Sequence, residues 1–243
     1  MRTQEAGKAV QSALDDQRQK IGALYEKRMA RALSEQWPES TPSQDQHKFA
    51  SATVLYADMR DYGLWTQTLS STEFSEIVQQ LYGSVGDTVY LFGAHTMQFV
   101  GSGMLCVFVD AADTHSVNHG LRAVRAALGL ANATRRIDAY VQKHWADRQL
   151  PKFSLGVALH SGPVTFASLD GLISRTGQTT PVGDTVAAAL KLFQGEPRLD
   201  WTVAASVQMV RLVTGAVRTG QRALVQVPGR SRPMDTLEIL GLT

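Results

Sequence analysis

The stretch Met97–Phe108, MQFVGSGMLCVF, decides the fold of this chain. Two apolar runs, Met97–Val100 and Met104–Phe108, flank the sequence Gly101-Ser102-Gly103. Apolar runs joined by a turn with glycine on both sides predict a β-hairpin. Such a turn holds one side chain at a fixed point above a sheet, and here that side chain belongs to Ser102.

The composition is that of an ordinary globular protein. The chain has 243 residues, 44% hydrophobic and 19% charged, which is enough for one sizeable core. Its formal net charge of +2 is too small to favour nucleic acid as a partner. There is no apolar signal segment at the N-terminus, and no run of about 18 apolar residues that predicts a membrane span. With a single cysteine, Cys106, we expect a cytoplasmic protein without disulfides and without a membrane partner.

Two regions are predicted along the chain. Residues 1–48 contain an amphipathic helix, from about Gln4 to Glu35, and a linker rich in Pro, Ser and Gln. We expect this helix to pack on the main domain or its dimer mate, or to bind a partner protein. Residues 49–243 alternate strand-like and helix-like segments and predict one further domain.

In the second region the signals follow the order β-α-β-β-α-β-β-α-β, with closing strands at the end. The segment after Leu69 predicts a helix with Ser71 as its N-cap and Gly93 at its end. The stretch Lys152–Leu169 is typical of a hairpin that turns at Ser161-Gly162. Two βαβ units joined by hairpins predict an α+β fold of ferredoxin-like βαββαβ type, with a mostly antiparallel sheet and helices against one face.

Five segments, in order, resemble motifs of the class III nucleotidyl cyclases, the adenylate and guanylate cyclase family. TVLYADMRDY, Thr53–Tyr62, resembles the first metal motif, TVLFADIRGF, and FVGSGMLCVF, Phe99–Phe108, resembles the second metal hairpin, FIGDAIMAVF. LGVALHSGPV, PVGDTVAAALKLF and VPGRSRPMDTLEILG are similar to the later motifs GIGIHTGEV, VIGDTVNLAARLE and VKGKSEPVRVYEVLG. The resemblance extends from about Ala52 to Gly241 and implies the cyclase domain fold.

The resemblance also implies a chemistry. Members of this family convert a nucleoside triphosphate into a cyclic nucleotide and pyrophosphate. They use two divalent cations, Mg²⁺ or Mn²⁺, held by two aspartates. Two subunits pair head to tail, and an asparagine and an arginine of the partner orient the ribose and stabilise the transferring phosphoryl group. A homodimer with an NTP ligand is therefore implied here.

Carried onto this sequence, the metal motifs are incomplete. Asp58 matches the first metal aspartate, and the backbone carbonyl of Met59 matches a further ligand. Ser102 stands where the second metal aspartate should be, which removes a full negative charge from a site for two dications. Asp61 occupies a position that usually holds glycine. His160 lies on a strand position that the family also uses, where we expect a structural role.

The nucleotide-binding positions differ as well. Gln98 stands where adenylate-forming members have a base-reading lysine, and Thr180 lies near the position of its aspartate partner; both side chains donate and accept, so the base stays open. Ala187 replaces the ribose-orienting asparagine. Lys191 replaces the arginine and lacks its bidentate fork. Arg230 matches the basic residue that grips the terminal phosphates.

Three functions fit these residues. We expect a catalytically impaired pseudocyclase that acts as a dimeric nucleotide-binding or regulatory module, because both halves of the shared site are altered and any Mg²⁺ or Mn²⁺ site is weakened. A divergent active cyclase, making a purine or pyrimidine cyclic nucleotide, stays open because Asp58 and Asp61 could together rebuild a metal site. A pure protein-interaction scaffold is the third alternative.

Overall fold

A computed structural model of the protein describes residues 48–110, 117–170 and 177–243. The predicted helix at Gln4–Glu35 lies outside these residues. The strands are β1 Lys48–Met59, β2 Thr96–Val100, β3 Gly103–Val109, β4 Leu155–Asp170, β5 Gly177–Val182, β6 Val203–Ser206, β7 Val217–Val225 and β8 Met234–Leu242. The helices are α1 Tyr62–Thr68, α2 Ser71–Leu91, α3 His119–His144, α4 Asp184–Lys191 and α5 Val207–Arg211, with 3₁₀ turns at Ala146–Arg148 and Leu192–Gln194.

The strands form a sheet in the order β2-β3-β1-β4-β6-β8-β7, and β5 pairs with β4. β1 runs antiparallel to β3 and β4, β2 to β3, and β8 to β6 and β7, whereas β4 and β6 are parallel. This confirms the predicted α+β class with a mostly antiparallel sheet. By compactness the described residues divide into two units. One consists of residues 167–170 and 177–180, and the other of residues 48–110, 117–166 and 181–243. Thr180 belongs to the first unit and the other candidate site residues to the second.

Helices pack on both faces of the sheet, so the expectation that they cover one face is wrong. Leu55 and Ala57 of β1 belong to the core that α1, α2 and α3 cover, whereas Val54 packs in a second core with Val186 and Ala189 of α4. Successive residues of a strand point to opposite faces. An uninterrupted apolar run in β1 is therefore what two covered faces require.

The predicted hairpin at Ser161-Gly162 is also wrong, because β4 continues without a turn from Leu155 to Asp170 and pairs with β1 on both sides of that dipeptide. The glycine at position 162 is needed for packing and not for a turn. A Cβ at this position would lie 2.6 Å from Thr185 Oγ1 of α4, and that hydroxyl donates to Pro163 O at 2.7 Å. The glycine lets α4 approach the sheet closely.

The N-cap of helix α2 lies one residue earlier than predicted. The N-cap is Ser70, whose Oγ accepts from Glu73 N at 3.3 Å while Glu73 Oε2 accepts from Ser70 N at 2.8 Å, which is a capping box. The prediction of Ser71 as the cap is wrong, because Glu73 lies three residues after Ser70 and not three residues after Ser71. Gly93 follows the helix end with a φ of 71°, as predicted.

Cys106 lies in β3 and is fully buried, and burial raises the pKa of its thiol. This confirms its prediction as a small core residue. Among the described residues, no helix combines the length and the apolar character needed to cross a membrane.

Candidate functional site

The β2–β3 hairpin brings Ser102 to the end of β1. Its turn consists of Gly101 and Ser102, and Gly101 adopts a φ of 60° that glycine tolerates without strain. In the β1–β3 pairing Asp58 lies opposite Gly103. Met59 N donates to Ser102 O at 3.4 Å, so the turn is joined to the strand end.

Ser102 is hydrogen-bonded directly to Asp58. Its Oγ donates to Asp58 Oδ1 at 2.6 Å. Asp58 and Ser102 are the two positions at which the sequence resemblance predicts metal-binding carboxylates, and here the Ser102 hydroxyl binds the Asp58 carboxylate. Within the described ranges, no group of three or more His, Cys, Asp or Glu side chains is arranged to hold a metal ion. One carboxylate with an occupied oxygen does not fit a site for two divalent cations.

Sequence reasoning missed a phenol beside the same carboxylate. Tyr56 and Asp58 line the same cavity, and burial, together with this carboxylate, raises the pKa of Tyr56 to about 12. The Tyr56 ring lies over Gly103, where a Cβ would be 2.5 Å from Oη. A signal was present in the sequence, because Tyr56 stands where the motif TVLFADIRGF has phenylalanine.

The residue after the strand end is a fixed cation that was also missed. Arg60 donates from Nη1 to Leu199 O at 3.1 Å and from Nη2 to Trp201 O at 2.6 Å. Its guanidinium lies 4.9 Å from the centre of the Phe193 ring. Burial and the nearby Arg198 lower the pKa of Arg60. The guanidinium therefore anchors the turn that follows Asp58.

Asp61 ends this turn in the left-handed region, with φ 56° and ψ 27°, as the N-cap of α1. Its carbonyl accepts from Leu64 N at 2.8 Å, whereas its side chain makes no capping hydrogen bond. Aspartate is one of the few residues other than glycine that visit this conformation. The backbone thus explains why a glycine is usual here.

Two cavities flank the Asp58–Ser102 bond. The larger, about 400 Å³, lies between α1, α2 and the hairpin, and no charged side chain is among its lining residues. The smaller, about 140 Å³, is lined by Asp58 together with Arg60, Asp61 and Arg198. Only the smaller cavity has charges suited to phosphate, and its volume is below the roughly 300–1,000 Å³ of ligand pockets. A triphosphate site at Asp58 therefore needs a further wall.

The two residues predicted to stand at transition-state positions share one face of α4. Ala187 and Lys191 are one helical turn apart and exposed, whereas Ala188 and Ala189 are buried against the sheet. Lys191 Nζ is 3.7 Å from where a Cβ of Gly229 would stand. The exposed face therefore presents a methyl group and an ammonium group at these positions.

Arg230 lies in the turn before β8 and is paired within the chain. Its Nη1 lies 2.9 Å from Asp184 Oδ2, at the first turn of α4. Gln226 Nε2 donates to Arg230 O at 2.6 Å and fixes the backbone of the turn. A phosphate that binds Arg230 has to compete with the Asp184 carboxylate.

His160 is buried in the interior of β4, 6% exposed. Its Nδ1 lies 2.8 Å from Ser206 Oγ. Burial and the charge of Arg230 lower the pKa of His160 to about 4, against the opposing effect of Asp184. The ring is therefore neutral at pH 7, and it contributes packing and one hydrogen bond.

The two base-reading candidates lie in different strands. Gln98 is in β2, half-buried and opposite Leu105 of β3. Thr180 is in β5, within the unit formed by 167–170 and 177–180. Their pairing on a base stays a prediction.

Solved structures with this fold are nucleotidyl cyclase domains. The guanylyl cyclase Cya2 matches with a TM-score of 0.67 and 19% identity over 82% of this chain and 94% of that chain. The adenylyl cyclase CyaB from P. aeruginosa matches with a TM-score of 0.67 and 14% identity over 81% and 96% of the two chains. The guanylate cyclase domain of RhGC from Catenaria anguillulae, in complex with GTP, matches with a TM-score of 0.62 and 20% identity over 81% and 100%.

No protein-family model matches the sequence, and no curated protein does. The chain has the fold of nucleotidyl cyclase catalytic domains, which confirms the fold that the five sequence segments implied. At 14% to 20% identity the likeness establishes the fold alone, and the chemistry has to be argued from the residues of this chain.

Proposed function

We propose that this chain is a degenerate class III nucleotidyl cyclase homologue, a pseudocyclase that binds a nucleoside triphosphate as a dimeric regulatory module. The hydrogen bond from Ser102 Oγ to Asp58 Oδ1, 2.6 Å long, carries this proposal. It occupies the place where two carboxylates would face two cations. The domain extends over residues 49–243; residues 1–48 are proposed to be an N-terminal amphipathic helix and linker that pack on the domain or its dimer mate, or bind a partner protein.

The electrostatics of the Asp58 site support lost catalysis. Two divalent cations need several anionic oxygen ligands, and Asp58 is the one carboxylate that the two predicted metal positions retain. Loss of one such group typically lowers a rate on the order of 100-fold or more.

The opposite half of a shared site is altered too. Ala187 has no side-chain hydrogen bond to offer a ribose, and Lys191 offers a point charge in place of a planar fork. In a head-to-tail homodimer every site would combine these changes with that at Ser102. The small volume of the cavity at Asp58 supports a second subunit as the missing wall.

Nucleotide binding is proposed because cationic groups persist. Lys191 and Arg230 both lie at the Gly229 turn, and Arg198 lines the cavity beside Asp58. Ammonium and guanidinium groups bind phosphate oxygens without a metal ion. We place the protein in the cytoplasm, where NTPs are available, in agreement with the single buried thiol.

The test is a cyclase assay joined to a binding assay. The full chain is incubated with Mn²⁺ and ATP, GTP, CTP or UTP in turn, and cyclic products are measured by mass spectrometry. We expect no product, but thermal stabilisation by at least one NTP, about 2.7 kcal/mol at 100 times its Kd.

A cyclic product that is lost in Asp58→Ala, but kept in the matched variant Asp87→Ala on the exposed side of α2, would overturn the proposal in favour of a divergent active cyclase. Absence of both product and stabilisation would favour the scaffold alternative.

A further inference from the structure

A further cavity, of about 480 Å³, lies between α3 and the sheet. Its floor consists of Leu155, Val203 and Ile239, which are buried residues of the neighbouring strands β4, β6 and β8. It shares no lining residue with the two cavities beside Asp58. Small-molecule sites have volumes of roughly 300–1,000 Å³, so this cavity is large enough for a small organic ligand.

One face of α3 forms a wall of the cavity. Leu128, Ala131 and Arg135 line it and follow one another at spacings of three and four residues, which places them on the same side of the helix. The neighbouring side, with Ala127 and Leu130, is fully buried in the core. The wall is therefore an apolar surface that ends in a guanidinium group.

The segment before β4 is fixed against the same helix. Asp138 of α3 accepts a hydrogen bond from Phe153 N at 2.8 Å. The Phe153 ring packs edge-to-face against Trp65, with ring centroids 5.6 Å apart, and both side chains are fully buried. Lys152 directly precedes this anchor and lines the cavity. The cavity is therefore preformed, as small-molecule sites usually are.

The charged side chains of the lining have a positive excess. Arg135 and Lys152 are exposed, and within residues 48–110, 117–170 and 177–243 neither side chain has an ion pair or a hydrogen bond. Glu238 is the acidic residue of the lining, and its Oε2 accepts from Gln221 N at 3.2 Å. Two cations and one carboxylate leave a net charge of +1, which a single further carboxylate neutralises.

We propose that this cavity binds a small organic carboxylate with an apolar body. The apolar body lies on the floor of the cavity, and the carboxylate lies at the rim with Arg135 and Lys152. Guanidinium and ammonium groups both form charge-assisted hydrogen bonds to carboxylates. A phosphate monoester, with close to two negative charges at pH 7, would exceed the charge of the lining. The site goes beyond the proposed nucleotide binding, because none of the candidate metal or nucleotide residues lines it.

The probe is octanoate, which combines one carboxylate with an apolar chain, and octanamide is the matched neutral compound. The Kd of each for the isotope-labelled full chain is measured by NMR titration. An exposed charge pair changes an equilibrium constant by about three- to fivefold. We therefore expect octanoate to bind about tenfold more tightly than octanamide, since two cations contribute.

Substitution of the two cations separates charge from packing. Arg135→Gln and Lys152→Gln should each weaken octanoate binding about three- to fivefold and leave octanamide binding unchanged. Arg136→Gln is the matched control, because Arg136 is an exposed residue of α3 that does not line the cavity. It should leave the Kd of both compounds unchanged.

Filling the cavity tests its location. Ala131→Phe places a ring in the cavity and should abolish binding of both compounds, whereas Ala139→Phe, at an exposed position of α3 outside the lining, should not. Thermal unfolding checks the fold of each variant. If Ala131→Phe does not fold, Thr202→Phe, at an exposed residue of the lining, blocks the same cavity.

Three results would overturn the proposal. Equal affinity for octanoate and octanamide would remove the role of the carboxylate, and octanoate binding that survives the blocking variant would place the ligand outside this cavity. Absence of octanoate binding up to its solubility would remove the site itself. The titrations contain no nucleotide, so their outcome is independent of the cyclase and NTP-binding assays.

Discussion

The Tyr56 ring occupies the space that a side chain at Gly103 would fill, on the neighbouring antiparallel strand. A Cβ at 103 would lie 2.5 Å from Tyr56 Oη and 2.8 Å from Ala57 O. The backbone of Gly103 is not in the left-handed region. A side chain is therefore excluded at this position by the atoms of neighbouring residues and not by the backbone conformation.

Gly103→Ala is expected to lower the free energy of unfolding by about 1–3 kcal/mol, because the added methyl group overlaps the phenol ring. The loss should be smaller in a Tyr56→Phe background, since the closest atom is then absent. Chemical denaturation of the four proteins in a double-mutant cycle measures the coupling. Additive effects would show that the ring moves aside freely.

Restoring single site residues is not expected to restore cyclase activity. Ser102→Asp returns a carboxylate, but Ala187 and Lys191 still lack the groups that orient the ribose and stabilise the phosphoryl group. We expect product only when Ser102→Asp, Ala187→Asn and Lys191→Arg are combined, measured as cyclic nucleotide by mass spectrometry. Full activity from Ser102→Asp alone would show that the α4 face matters little.

The buried His160 predicts a loss of stability in acid. Its folded pKa of about 4 lies below the ordinary value of 6.5, so its contribution is present above pH 6.5 and is lost as pH falls through 4. The difference amounts to about 3 kcal/mol at most.

His160→Gln should flatten the pH dependence of unfolding between pH 6.5 and 4, the window set by the two pKa values. His144→Gln, at an exposed position of α3, is the control and should leave it unchanged. Arg230 lowers the pKa of His160, and Asp184 raises it. Removal of the Arg230 charge should bring this pKa closer to its ordinary value, so Arg230→Gln should reduce the loss of stability in acid. An unchanged slope in His160→Gln would assign the acid sensitivity to other groups.

The Arg230–Asp184 ion pair is expected to compete with nucleotide phosphates. The pair is partly exposed, with side-chain exposures of 30% and 72%, and such pairs stabilise a protein by about 1 kcal/mol or less. Asp184→Asn should therefore tighten ATP or GTP binding by about fivefold at low salt, measured by calorimetry. Asp235→Asn, which breaks the separate pair with Arg222, should have no such effect; weaker binding in Asp184→Asn would mean that Asp184 itself contacts the ligand.

Asp61 should be replaceable by glycine with a gain in stability. An L-residue in the left-handed region costs roughly 1–2 kcal/mol, and glycine loses roughly 0.5–1 kcal/mol in chain entropy. Asp61→Gly is thus expected to raise the free energy of unfolding by up to about 1 kcal/mol, and Asp61→Val to lower it. Thermal and denaturant unfolding check both, and a stabilising valine would contradict the assigned backbone conformation.

Local patterns predicted most of the fold and only the positions of the candidate site. The Gly101-Ser102 turn between apolar runs, the order of strands and helices and the helix stop at Gly93 all depend on residues near one another in the chain. Ser161-Gly162 misled the prediction because a glycine typical of turns here makes room for Thr185, a contact between segments distant in sequence.

The amino-acid sequence by itself determined that a cyclase-like α+β domain forms and that Ser102 replaces an expected carboxylate, because motif order, strand periodicity and turn residues are local properties. Only the tertiary structure decided that Ser102 hydrogen-bonds Asp58, that Arg230 pairs with Asp184 and that α4 covers the second face of the sheet. These contacts depend on strand register and on the approach of distant segments, and a local pattern does not encode either.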